Sequence, residues 1–371
     1  MKELQPNHAM IVLAREIRGM TQSELSARAP SVNQGNLSRM EKGKLSISDN
    51  ALEEISAALN FPKAFFFQEN VKTPINDFYY RKRQSVPKKS LSKLEATMDL
   101  IRMGLDKLFF DIELPSLNIP HVDLRNGLTP EEAARKIRSH LNLTRGPIKN
   151  LVNLLEQNGV VIFLVDSESD KFDGITLFTD EQYPVIFLNE HLPNDRKRFT
   201  LAHELGHLVL HLRAKLDDRT DQDKEIEANQ FAAECLMPEL DIRNDLTHLT
   251  IGKLGGLKDY WQVSMRSLVY RAKSLKIIAE SRATNLYIEL SRLGYVTSEP
   301  GFVEFDEPKI VKKTIDLLKS ELEYSYDDIA EDLCISVQDF LELFMKKRSG
   351  NLNLRLIKSK NERTRLDLTT D

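Results

Sequence analysis

At 371 residues the chain is long enough for two or three domains with a sizeable core. Its 41% hydrophobic and 29% charged residues are ordinary for a soluble globular protein, and a net charge of -4 leaves a local basic patch open. Two cysteines, Cys235 and Cys334, exclude a disulfide framework and a cysteine-based zinc site, and no apolar run reaches the ~20 residues of a membrane helix. The opening Met1-Lys2-Glu3 is unlike a signal peptide, so the expectation is a cytoplasmic protein with no membrane partner.

Residues 7–67 read as five short helices. The first runs from Ala9 to Arg18. Thr21 with Glu24 forms a capping box for the second. Asn33 caps a third, from Gln34 to about Lys42, and Gly43 stops it. Asp49 is the expected cap of a fourth, with Leu52, Ile55 and Leu59 facing inward, and Pro62 to Phe67 is a short fifth element. Two short helices across the tight turn Pro30-Ser31-Val32 follow helix-turn-helix logic, in which the first turn of the second helix reaches base edges. Gln34 and Asn36 are placed there because amides pair bidentately with adenine. Gln22, Ser38, Arg39, Lys42 and Lys44 are placed on phosphates.

The residues Met20-Thr21-Gln22-Ser23-Glu24-Leu25 and Asn36-Leu37-Ser38-Arg39-Met40-Glu41-Lys42-Gly43-Lys44 resemble the lambda-repressor-like XRE family. The resemblance implies binding to an operator in double-stranded DNA. The turn around Ala29-Pro30-Ser31-Val32 is one residue longer than the family pattern, and Gly35 offers no side chain. Residues 1–68 hold 8 Lys and Arg against 7 Asp and Glu, a weak cationic face, which keeps open a helical module for protein contact.

Residues 69–95 read as a linker. Within Asn76 to Lys93, Phe78-Tyr79-Tyr80 meets the basic run Arg81-Lys82-Arg83, which fits a solvated hinge or a nucleic-acid contact. Leu91 to Phe110 has helical spacing. Thr129-Pro130-Glu131-Glu132 opens another helix with proline in its first turn and a capping box. A further helix is expected from Ile148 to Gln157, started by Pro147 and ended by Asn158-Gly159. Three strands follow, Val160–Val165, Gly174–Phe178 and Val185–Asn189, each bounded by turn residues. Pro184–Asn189 is the strand nominated to hold a substrate chain by edge addition.

The apolar helical run from Phe199 to Leu212 carries His203-Glu204-Leu205-Gly206-His207, an H-E-x-x-H pattern. Residues four apart share a helix face, so both imidazoles can address one Zn²⁺, with Glu204 beside it to accept a proton from water. The next helix, from about Lys224 to Leu236, offers Glu225 and Glu227. Glu225 is selected as third ligand because it shares a face with Asn229 and Ala232, whose small size permits close approach; Asn229 is its outer partner. His211 continues the histidine series, but eight residues of helix span about 12 Å, too far for one ion to bind both ends. It is read as a supporting residue.

These stretches, Arg198-Phe199-Thr200-Leu201-Ala202-His203-Glu204-Leu205-Gly206-His207 with His211 and Glu225 through Pro238, resemble the ImmA/IrrE family of zinc metallopeptidases. The resemblance spans roughly residues 75–300. It implies zinc on His203, His207 and Glu225, Glu204 as base, and a repressor protein as substrate.

Trp261 to Lys276 is helix-rich, and Tyr270 and Arg271 are candidates to steady an oxyanion. Pro308 to Met345 reads as two or three amphipathic helices, open between a lid, a dimer contact and a substrate platform. A charged tail begins at Lys358. The expected architecture is α+β, mostly α: a helix-turn-helix domain (1–68), a linker (69–95), a zincin-like peptidase domain (96–300) and a helical carboxy-terminal region (301–371). The expected function is a zinc endopeptidase that regulates transcription by cleaving a repressor, in trans or in its own amino-terminal region. A non-proteolytic sensor and an antitoxin-type interaction module are the alternatives, and a homodimer is compatible with each.

Overall fold

The computed structural model describes residues 5–69, 87–143, 145–167, 169, 171–214 and 219–345, and the backbone of 355–356. The basic run at 81–83 and the tail from Lys358 lie outside these residues. The amino-terminal helices are α1 (His8–Ile17), α2 (Gln22–Arg28), α3 (Gln34–Glu41) and α4 (Asp49–Leu59), followed by a 3₁₀ turn at Lys63–Phe67. The Thr21–Glu24 capping box is present, and the Asn33 side chain accepts from the Asn36 amide. Asp49 is not the cap of α4. Ser48 is: its side chain accepts from the Ala51 amide, and Asp49 becomes the first helical residue.

A 22-residue helix, α5 (Lys88–Phe109), begins inside the stretch expected to be linker. The short strand β1 (Ile112–Glu113), α6 (Pro130–His140) and α7 (Leu151–Gln157) follow. The helix expected from Ile148 starts three residues later. The cause is Arg198, whose guanidinium donates to the carbonyls of Ile148 and Lys149 and holds that segment as an irregular turn.

The strands β2 (Val161–Val165), β3 (Gly174–Phe178) and β4 (Pro184–Asn189) form one sheet in the order β2-β4-β3. β2 and β4 run parallel, and β3 is antiparallel to β4. Pro184–Asn189 is therefore the central strand, paired on both sides and fully buried, and cannot accept a substrate chain. The strand whose edge lies near the motif helix is β3. Its period-2 pattern sends Ile175 and Leu177 to one face, while Gly174 and Thr176 face α8 (Asn194–Leu210). A Cβ at Gly174 would lie 2.8 Å from Thr200 and 2.9 Å from Leu188, so glycine is what lets α8 sit on the sheet.

After α8 come α9 (Asp221–Leu236), α10 (Glu239–Ile242), α11 (Ile251–Trp261), α12 (Met265–Ser274) and α13 (Glu280–Arg292). α9 starts earlier than expected because Thr220 and Asp223 form a capping box ahead of Lys224. The last helices are α14 (Ile310–Leu322), α15 (Tyr326–Leu333) and α16 (Val337–Phe344), and β5 (Arg355–Leu356) pairs with β1.

Two apolar cores lie on opposite faces of the sheet. One joins α6–α9 and α11–α13 to Ile162, Ile186 and Leu188. The other joins Val161, Phe163, Ile175 and Phe187 to α5, to α14–α16 and to the amino-terminal helices. Residues beyond 301 thus share a core with the amino-terminal helices. Phe344 seals this arrangement, stacking edge-on against Phe163 at 5.7 Å and filling the space over Gly104. Arg18 makes two hydrogen bonds to Asp339, at 2.6 and 2.7 Å, and donates to the Leu59 and Asn60 carbonyls that end α4.

Candidate metal centre

α8 buries eleven of its residues and still presents His203 and His207 on one face toward α9. The two helices approach closely because Gly206 lies against Ala228 and Phe231. A Cβ there would meet Phe231 at 3.1 Å and the Ala228 backbone at 3.2 Å. That approach brings Glu225, one turn before Ala228, to the histidines. His203 Nε2 lies 3.1 Å from His207 Nε2, and Glu225 Oε1 lies 3.1 Å from His207 Nε2 and 3.4 Å from His203 Nε2.

The second nitrogen of each ring fixes its tautomer. His203 Nδ1 donates to Asn229 Oδ1 at 3.1 Å. His211 Nε2 donates to the Glu227 carboxylate at 2.9 Å, leaving His211 Nδ1 to accept from His207 Nδ1 at 2.9 Å. Glu227 is held in turn by Arg219 at 2.9 Å. With both Nδ1 atoms protonated, two Nε2 lone pairs and a carboxylate oxygen converge with no hydrogen between them. Three acceptors in contact repel one another unless a cation lies among them. Their separations also match the size of the ion: ligands about 2.0–2.1 Å from a tetrahedral centre are about 3.3–3.4 Å apart. The residues present fit zinc.

Glu204 is 5% exposed, and its Oε2 accepts a 2.8 Å hydrogen bond from Thr176 of β3. Arg219 and Thr176 were not singled out from sequence, and Glu227 was weighed only as a rival third ligand, not as the partner of His211. Glu227 carries a signal in retrospect, since a histidine that supports a metal-binding histidine itself needs an acceptor. Thr176 carries none, because pairing across the sheet to a helix leaves no spacing to read.

Tyr270 and Arg271 are not brought to this centre. Arg271 is buried and bonded to Glu234 and the Met237 carbonyl, where it ties α12 to α9. Tyr270 is 41% exposed on the outer side of α12. The oxyanion role expected of them has no geometric support, because burial of the α12 apolar face turns Tyr270 outward and Arg271 into a structural ion pair. Cys235, buried on α9, has its thiol pushed up to about 11 by desolvation.

In the amino-terminal domain Gln34, Gly35 and Arg39 are exposed on α3, and Asn36 and Ser38 are half-buried. Gln34 donates to Gln22 at 3.1 Å, and Gln22 donates to Glu41 at 2.7 Å, so the first turns of α2 and α3 are tied together. Glu41 is also clamped by Arg15.

Residues 155–273 match the family profile described as the IrrE N-terminal-like domain, a peptidase family, and residues 11–66 match the helix-turn-helix profile. The chain is also similar to "Uncharacterized immunity region protein 2" of Bacillus phage phi105. That match is 41% identical over 66 residues, 16% of this chain and 42% of the phage protein. The chain therefore spans less than half the length of that relative. It combines an XRE-like helix-turn-helix domain with an IrrE-like peptidase-family domain. Among the described residues no helix is long and apolar enough to cross a membrane.

Proposed function

We propose that this protein is a zinc-dependent endopeptidase that binds operator DNA through residues 11–66 and regulates transcription by cleaving a repressor. The observation that carries the catalytic part is the convergence of three potential ligand atoms, from His203, His207 and Glu225, at separations of 3.1–3.4 Å. When bound, zinc supplies Lewis-acid chemistry, polarising a peptide carbonyl and making water a competent nucleophile at neutral pH. Glu204 takes the proton of the attacking water and passes it to the leaving amine. Thr176, on the edge strand β3, holds that carboxylate with a 2.8 Å hydrogen bond. The edge of β3 that pairs with no other described strand, not β4, is the place for an extended substrate chain.

The regulatory part is supported by the helix-turn-helix match and by the relative named for a phage immunity region. Gln34, Asn36 and Arg39 reach the duplex from α3, with Gln22 held beside them.

Metal content of the purified chain against His207→Ala and Glu225→Ala tests the centre, and near-stoichiometric zinc lost in both variants is the expected result. Co-expression with repressors from neighbouring genes, with Glu204→Gln as control, tests cleavage. A Glu204→Gln variant that keeps its zinc and its full regulatory output would remove the proteolytic reading and leave a sensor.

A further inference from the structure

The helix-turn-helix is poor in available positive charge. Of its basic residues Arg15 is committed to Glu41 and Arg18 to Asp339. Affinity for duplex DNA comes largely from phosphate neutralisation, so such a domain needs cations from elsewhere. The next described segment carries further lysines. Residues 88–94, the first two turns of α5, contain Lys88, Lys89 and Lys93 and no acid. All three are exposed.

Their location is specific. α5 packs along α1, and the stems of Lys93 and Lys89 pass 3.6 and 3.8 Å from the Cβ position of Gly19, just ahead of α2. Lys89 Nζ lies 3.5 Å from Glu24, in the first turn of α2, with both side chains more than half exposed. So loose and solvated a pair is readily exchanged for a phosphate. The same first turn carries Gln22, tied to Gln34 of α3. In a helix-turn-helix, α3 lies in the major groove and the preceding helix crosses the flanking backbone. The three lysines thus border α2 at the end tied to the first turn of α3.

We propose that the first two turns of α5 are a second phosphate-contacting element, extending the duplex-binding surface beyond residues 11–66 through Lys88, Lys89 and Lys93. This rests on the reading of residues 11–66 as a DNA-binding domain. The contact adds affinity without reading sequence, since phosphates carry no base identity.

The test uses the full chain and a mixed-sequence duplex of about 30 base pairs, with affinity followed across about 50–200 mM salt. Lys88→Ala/Lys89→Ala/Lys93→Ala is expected to lower the log–log salt slope by about 2–3, at roughly 0.9 per phosphate contact. The triple arginine replacement restores it. A control of equal charge change, Lys136→Ala/Lys149→Ala/Lys276→Ala on exposed positions elsewhere, leaves the slope at the wild-type value. Equal slopes for the α5 variant and the control overturn the proposal while leaving residues 11–66 as the binder. Failure of the wild-type chain to bind any duplex overturns both.

Discussion

Replacing His211 by phenylalanine isolates what the relay behind His207 contributes. His211 is 7% exposed and sits between the His207 Nδ1–H and the Glu227 carboxylate at 2.9 Å on each side. Phenylalanine has a similar shape, so the packing survives, but the His207 N–H loses its acceptor in a buried setting. Leaving such a donor unpaired costs about 1–3 kcal/mol. Part of that is relieved when the ring flips or its proton moves to Nε2, and either change removes the lone pair aimed at the metal. Zinc affinity is expected to fall about 10–100-fold, about 1.4–2.7 kcal/mol, as for other outer partners of metal-binding histidines. Competition against a chromophoric chelator at fixed pH measures it, and melts in EDTA show that the metal-free fold is intact. Unchanged zinc affinity in a folded His211→Phe protein would refute the relay. Glu227→Gln, which retains an acceptor oxygen, is expected to lose less than about 10-fold.

At Gly206, alanine gains about 1 kcal/mol of helix propensity but forces α8 and α9 apart against contacts of 3.1–3.2 Å, costing about 1–3 kcal/mol. Stability measured by urea melts should change little, while zinc affinity drops as Glu225 moves with α9; tighter zinc binding would contradict the close-approach argument. Arg18→Ala breaks a largely buried ion pair and leaves two helix-end carbonyls without their donor. A loss of about 2–4 kcal/mol is expected, and a double-mutant cycle with Asp339→Asn isolates the pair. For Cys235 the folded state keeps its proton up to about 11, against 9.0 for an ordinary thiol. Between those values the unfolded chain binds fewer protons than the native one, so stability present below pH 9 is lost as pH rises toward 11, by roughly 2–3 kcal/mol. Cys235→Ala should flatten that slope in denaturant titrations, and a slope unchanged by the substitution would show that other groups set it.

The sequence was most informative where one element speaks for itself. Four-residue spacing put His203 and His207 on one face, and Thr21, Asn33 and Thr129 marked helix starts through local capping chemistry. The choice of Glu225 needed a second helix and rested on the small residues beside it; the structure brings that carboxylate to the histidine pair. What could not be read was long-range partnership. Pro184–Asn189 has the composition of any buried strand, and only pairing on both sides shows it to be central. Ser48 and Asp49 are equally good caps in sequence. Arg198, an unremarkable cation in a helical run, sets the start of α7 from 50 residues away.

The core shared by the amino-terminal helices, α5 and α14–α16 makes the nucleic-acid module a fixed arm and not a pendant. A fixed arm has a phase. If this chain works on a protein bound to the same duplex, the His203–His207–Glu225 centre faces one azimuth of the double helix, and targets half a turn away are out of reach. Cleavage as a function of the spacing between the two binding sites should then oscillate with a period of about 10–10.5 base pairs. A smooth decline with distance would mean that the arm comes loose before it acts.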